Sequence, residues 1–107
     1  MLPNVIYLYP SNTQVVQVTE LQDQVSGLFL TQATVTATLL DRRGNPDPVL
    51  NNLPLNYVNG TDATYQGVVP PTFSARVGGG YVLRIIAIQA GVQAEFSIPV
   101  IVQPRKK

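Results

Sequence analysis

The chain has 107 residues, of which 45% are hydrophobic and only 12% charged, so it has the length and apolar content for one domain with one core. Its formal net charge of +1 argues against nucleic-acid binding, which needs a broad basic field. With no Cys and no His, it has no disulfide, no thiolate nucleophile and no imidazole for metal binding or general-base catalysis at neutral pH. We therefore predict a single non-enzymatic domain over residues 1–107, without cofactors.

The first predicted elements are two short extended segments, residues 5–9 and 14–19, separated by Pro10-Ser11-Asn12. Residues 1–13 suit either an arm or an edge strand of the domain. A short strand of aromatic and aliphatic side chains can add to the edge of a neighbour's sheet. We therefore predict a protein interface at Ile6, Tyr7, Leu8 and Tyr9.

The N-terminus also bears on where the protein acts. It has no positively charged region, and its apolar segment is too short for a signal peptide or a membrane-spanning helix. We therefore expect neither a signal peptide nor membrane insertion. Release by lysis, or export inside an assembled particle, would suit such a chain.

The middle of the chain carries the clearest strand pattern. Over residues 33–40, apolar side chains alternate with threonines, which predicts a strand with one buried face. Residues 41–48, DRRGNPDP, are typical of a reversing turn. Residues 53–58 and 64–69 are predicted as two further strands because turn residues and prolines bound them.

The last two predicted strands, residues 81–88 and 92–102, are joined by Ala90-Gly91 and predict a hairpin. The preceding glycines, Gly78–Gly80, lack the Lys and helix that a phosphate-binding loop needs, so we interpret them as a flexible approach to the strand. No segment has helical spacing of apolar residues over a useful length. The strands and their regularly spaced turns predict an all-β sandwich or small barrel.

Five segments share a pattern with a known class of domain: ATVTATLLDRRGNP, LPLNYVNG, YQGVVP, VGGGYVLRIIAIQAG and AEFSIPVIVQ. Over about residues 30–103 the chain resembles the immunoglobulin-like domains of bacteria and phages. The resemblance implies an Ig-like β-sandwich of about seven antiparallel strands. It also implies a module that decorates capsids, tails or cell surfaces, as a spacer or adhesive unit. Tyr81 is placed like the corner tyrosine of such folds, whose hydroxyl bonds to nearby backbone.

The strand that contains Tyr81 predicts a second interface. If Tyr81, Leu83 and Ile85 point into the core, their neighbours along the strand point outward. An outward patch of β-branched side chains on a protein of low charge favours contact with a partner. The predicted residues of this patch are Val82, Ile86, Ile88 and, from the next strand, Ile101.

The acidic residues suggest two other kinds of site. Asp41 and Asp47 flank one turn and could form a catalytic carboxylate pair, but aspartate is also favoured in turns. A calcium site would use loop oxygens, yet the EF-hand spacing is missing. Its candidates are Asp41, Asn45, Asp47, Asn59 and Asp62. We interpret these residues as turn-forming and predict no catalytic or metal site.

Together these features predict a structural or interaction module of a larger assembly, namely a phage virion protein of the capsid-decoration, neck or tail-associated kind. Its partners would be other virion or surface-assembly proteins, or further copies of itself. The alternative is a carbohydrate- or cell-surface-binding adhesion domain at a bacterial surface. That role would use Tyr, Asn and Asp side chains on the loops.

Overall fold

The computed structural model describes residues 5–22, 27–61 and 63–104, and within these ranges the chain is all-β. Every predicted strand is confirmed to within a few residues. No helix in the described ranges is long and apolar enough to cross a membrane. The strands are β1 Ile6–Leu8, β2 Gln14–Val18, β3 Thr34–Leu40, β4 Leu53–Tyr57, β5 Tyr65–Val69, β6 Gly78–Gln89 and β7 Val92–Val102.

The seven strands form one mixed sheet in the order β1-β7-β6-β3-β4-β5-β2, and the sheet curls around a single core. The prediction that all strands are antiparallel is wrong for β1, which pairs in parallel with β7. The physical reason lies in the segment after β1. Pro10 has no N–H for a ladder, and Ser11, with a φ of 62°, donates its own N–H to the carbonyl of Phe73. The chain therefore leaves β1 for the opposite edge of the sheet instead of forming a hairpin.

A glutamine side chain completes the end of β1. Gln14 accepts a hydrogen bond from the N–H of Tyr9 at 2.9 Å and donates one to the carbonyl of Tyr9 at 2.8 Å. The side-chain amide thus binds the same two groups that a neighbouring strand would bind. β1 is therefore fixed on its own domain as an edge strand.

The sheet changes its pairing at β4. Leu53 and Leu55 lie opposite β3, whereas Asn56 and Tyr57 lie opposite β5. At this crossing the backbone of β5 comes so close to β4 that a Cβ on Gly67 would lie 2.7 Å from the carbonyl oxygen of Pro54. Glycine is the residue that permits such an approach.

Residues from all seven strands and from the loops between them form one core. At one end of it the hydroxyl of Tyr65 donates a 2.6 Å hydrogen bond to the carbonyl of Leu30 and accepts one from the N–H of Ala33. Burial raises the pKa of this hydroxyl. The largest fully buried side chains include Tyr65, Phe73, Leu8, Leu21, Leu39, Leu50, Leu83, Ile85 and Ile98.

The β6–β7 hairpin has the predicted alternation: Leu83, Ile85 and Ala87 are buried, and Tyr81 packs against the core. Two details differ from the sequence prediction. Gly78–Gly80 belong to β6 itself, with a register shift before Tyr81. No hydrogen bond joins the Tyr81 hydroxyl to another described residue. Backbone bonds of the predicted kind are made by Tyr57, to Thr61, and by Tyr65.

Candidate functional site

The predicted outward residues of β6 and β7 lie on one side of the sheet. Val82 and Ile86 are half-buried, while Ile88 and Ile101 are 42% and 37% exposed. Tyr7 of β1 lies directly opposite Ile101 in the ladder and is 46% exposed. We call these five residues the outer face.

The outer face carries little net charge. Arg84 and Glu95 are the only charged residues in β1, β3, β6 and β7. They are diagonal neighbours on the same side of the ladder, because Arg84 lies opposite Ser97 and Glu95 lies opposite Ile86. Arg84 Nε and Glu95 Oε1 are 3.8 Å apart, so the two charges largely offset each other. The rest of this side of β3 consists of threonines and Leu40. Removing water from such a surface costs little free energy when a partner covers it, because few charged groups lose their hydration.

The remaining predicted N-terminal residues are less available to a partner. Leu8 is only 1% exposed and lies in the core, and Ile6 packs against the core. Tyr9 is half-buried, and the side chain of Gln14 binds its backbone. Tyr7 is therefore the most exposed of the four N-terminal residues predicted as an interface.

A second surface feature lies at one end of the domain, between the β3–β4 connection and the start of β6. It is an open cavity of about 460 Å³, which we call the end groove. A smaller cavity of about 230 Å³ adjoins it and shares several of its residues. The end groove is lined by Asp41, Arg42, Arg43, Asn45, Arg76, Val77 and Tyr81.

The two aspartates of this end organise the backbone of the turn. Asp41 Oδ1 accepts hydrogen bonds from the N–H groups of Arg43, at 2.8 Å, and Asn45, at 2.9 Å. The bond from Asn45 is the main reason that the pKa of Asp41 lies below its ordinary value. Asp47 Oδ2 accepts from the N–H groups of Val49 and Leu50 in the same way. Both carboxylates therefore act as turn-forming groups.

The glycines before Tyr81 provide space for an arginine. Arg42 Nε donates a 3.0 Å hydrogen bond to the carbonyl of Gly79, and its side chain lies across Gly80. Gly80 also has a φ of +88°, which side chains rarely adopt. Gly78–Gly80 thus hold Arg42 at the rim of the end groove.

Of the calcium candidates, Asp41, Asn45 and Asp47 line the same small cavity, but both aspartates accept hydrogen bonds from N–H groups of the turn. Among the described residues, no three carboxylate-type ligands form a group that could hold a metal ion. Asn59 lies in an exposed turn, and Asp62 lies outside the described residues.

The sequence predicts the outward direction of Val82, Ile86, Ile88 and Ile101, but it gives no sign of the end groove. The sequence places Arg42 and Arg43 in a turn and gives no local reason to single out Arg76. Their only sequence signal is that they account for three of the seven basic residues of the chain. The fold brings Arg76 next to a turn that lies more than thirty positions earlier in the sequence.

Comparisons with known families and with curated proteins give no match to this chain.

Proposed function

We propose that this chain is a non-enzymatic interaction module of the Ig-like β-sandwich type, built into a larger assembly. The observation that carries the proposal is the outer face, a charge-poor and partly apolar surface on hydrogen-bonded strands. Exposed apolar surface rimmed by polar residues is typical of protein contacts.

The strand order supports an Ig-like reading. If β1 to β7 are taken as strands A to G, then β2-β5-β4 has the order B-E-D, and β3-β6-β7 has the order C-F-G. These are neighbours in the two sheets of an Ig domain. The chain departs from that scheme in two places, because β1 lies beside β7 and β4 also pairs with β3.

We further propose that the assembly is a phage virion and that the module sits on its capsid, neck or tail. Support comes from the sequence resemblance to phage and bacterial Ig-like domains and from the low charge of the chain. The outer face would contact a neighbouring virion protein or another copy of this chain.

Purified virions of the genome that encodes the chain provide the test. Quantitative mass spectrometry should find the chain at a fixed copy number per particle. Particles grown with an Ile88→Glu variant should lose it, since a charge at this position cannot be desolvated cheaply. The matched control is Val68→Glu, which places the same charge on an exposed valine outside the outer face.

Two outcomes would contradict the proposal. One is the absence of the wild-type chain from intact virions. The other is equal incorporation of both variants, which would show that the outer face makes no contact. Circular dichroism of the two purified variants checks that both remain folded.

A further inference from the structure

The end groove and the smaller cavity beside it, which we include under the same name from here on, combine a cationic part with an apolar part. Arg42, Arg43 and Arg76 line the larger cavity. The adjoining cavity is lined in part by Pro46, Pro48, Ala75 and Leu39. Tyr81 and Asn45 border both cavities, so the two parts are continuous.

The three arginines have unused binding capacity. Within the described ranges, none of them has a carboxylate oxygen within 4.0 Å, the limit for an ion pair. Arg42 uses its Nε on Gly79, which leaves its two terminal nitrogens for another acceptor. Arginine binds carboxylates through two parallel N–H donors, and such bonds are among the stronger ones at protein surfaces.

The charge of the groove limits what it would bind. Three arginines and the carboxylates of Asp41 and Asp47 leave a net charge of +1 (3 − 2) around the two cavities. A single negative charge therefore neutralises the site, whereas a phosphate dianion would leave it with a net charge of −1. The proline- and alanine-lined part favours a ligand with an apolar group beside the charge.

We propose that the end groove binds an acidic peptide segment of a partner protein, with one carboxylate at the arginines and an adjacent apolar side chain over Pro46, Pro48 and Ala75. The proposal rests on the interaction role proposed above but concerns a different surface. The arginines fix the position of the carboxylate, and the apolar part selects its neighbour in the peptide. Because the groove is open, we expect weak binding.

The experiment uses the full chain labelled with ¹⁵N and a blocked pentapeptide that carries one glutamate between two leucines. Amide NMR signals of residues 41–48 and 75–81 should shift with a Kd of about 1 mM or below. A peptide with glutamine in place of glutamate tests the charge, and one with glycines in place of the leucines tests the apolar part. Inorganic phosphate and glucuronate are titrated separately to detect a general anion site or an acidic-saccharide site.

Arg76→Gln is the decisive variant, because Arg76 is exposed and has no hydrogen bond to another described residue, so its loss should leave the fold intact. It should raise the Kd of the glutamate peptide at least about fivefold. Arg84→Gln is the matched control, since Arg84 lies on the same side of the sheet as the outer face and away from the end groove, and it should leave the affinity unchanged. Ile88→Glu should also leave it unchanged, which separates this site from the one proposed for virion assembly.

Several results would overturn the proposal. Equal binding of the glutamate and glutamine peptides would show that the arginines do not select a carboxylate. If phosphate or glucuronate binds more tightly than the peptide, the groove is a site for that other kind of anion. The absence of shifts up to about 5 mM peptide would show that the groove is not a peptide site.

Discussion

A Cβ atom on Gly80 would lie 2.6 Å from Arg42 Nε, because the arginine side chain rests directly on this glycine. We predict that Gly80→Ala destabilises the protein by about 1–3 kcal/mol, since it adds both this clash and the strain of a side chain at positive φ. Urea unfolding measures the change. Gly79→Ala is the control, because a Cβ there meets no atom within 4 Å. Similar stabilities for the two variants would contradict both the strain at Gly80 and its close contact with Arg42.

Gly67 provides a second test of close packing. In Gly67→Ala the new Cβ would lie 2.7 Å from the carbonyl oxygen of Pro54 and 2.8 Å from a methyl of Leu55. Because β4 cannot move away without losing its pairing to β3 or β5, we predict a loss of about 1–3 kcal/mol in the free energy of unfolding. The control is Val68→Ala on the same strand, where the side chain is 57% exposed and a small effect is expected. A neutral Gly67→Ala would contradict the observed approach of β4 to β5.

The buried hydroxyl of Tyr65 should contribute strongly to stability. Tyr65→Phe leaves the carbonyl of Leu30 and the N–H of Ala33 without their partner, and we predict a cost of about 1–3 kcal/mol. Tyr57→Phe removes a more exposed bond to Thr61 and should cost less. Thermal unfolding of both variants compares the two hydroxyls. If Tyr57→Phe is the more damaging variant, the hydrogen bonds of Tyr65 are not the dominant ones.

Tyr65→Phe should also change how the stability depends on pH in alkaline solution. The pKa of Tyr65 is raised in the folded state, so above about pH 10 the unfolded chain releases its proton first. The contribution of Tyr65 is therefore fully present below that pH and is lost as the pH rises through the folded-state pKa. Stability measured from pH 8 upward should fall less steeply in Tyr65→Phe than in the wild type.

Asp41 should make the stability depend on pH in the opposite sense, and in acidic solution. Its pKa is lowered in the folded state, mainly by the N–H of Asn45, so the folded chain binds a proton less readily than the unfolded chain. The stabilisation is present above about pH 4 and is lost as the pH falls through the folded-state pKa. Asp41→Asn keeps the acceptor oxygen but removes the titration. The stability difference between wild type and variant should therefore shrink on acidification, and a constant difference from pH 7 to pH 2 would contradict this role.

The strand positions were predictable because their signal is local. Alternation over β3, and over the β6–β7 hairpin, follows from the two-residue period of a strand with one buried side. The same period correctly separated Leu83 and Ile85 from Val82 and Ile86. The prediction that Tyr7 and Leu8 belong to one interface neglects this period, because a strand sends neighbouring side chains to opposite sides, and Leu8 is buried.

The features that sequence reasoning missed depend on distant contacts. The parallel pairing of β1 with β7 joins residues more than ninety positions apart, and local patterns do not encode it. The Gly78–Gly80 segment has no obvious role until Arg42 is seen across it. The end groove likewise exists only because the fold brings Arg76 beside residues 41–45.

The parallel pairing of the first and last strands has a mechanical consequence. When the two ends of the domain are pulled apart, β1 is drawn backward and β7 forward along the same line. The hydrogen bonds between them are then loaded in shear, all at once, rather than opened one after another as in a hairpin pulled from its open end. A subunit joined to its neighbours through both ends would therefore resist tension along the β1–β7 direction better than across it.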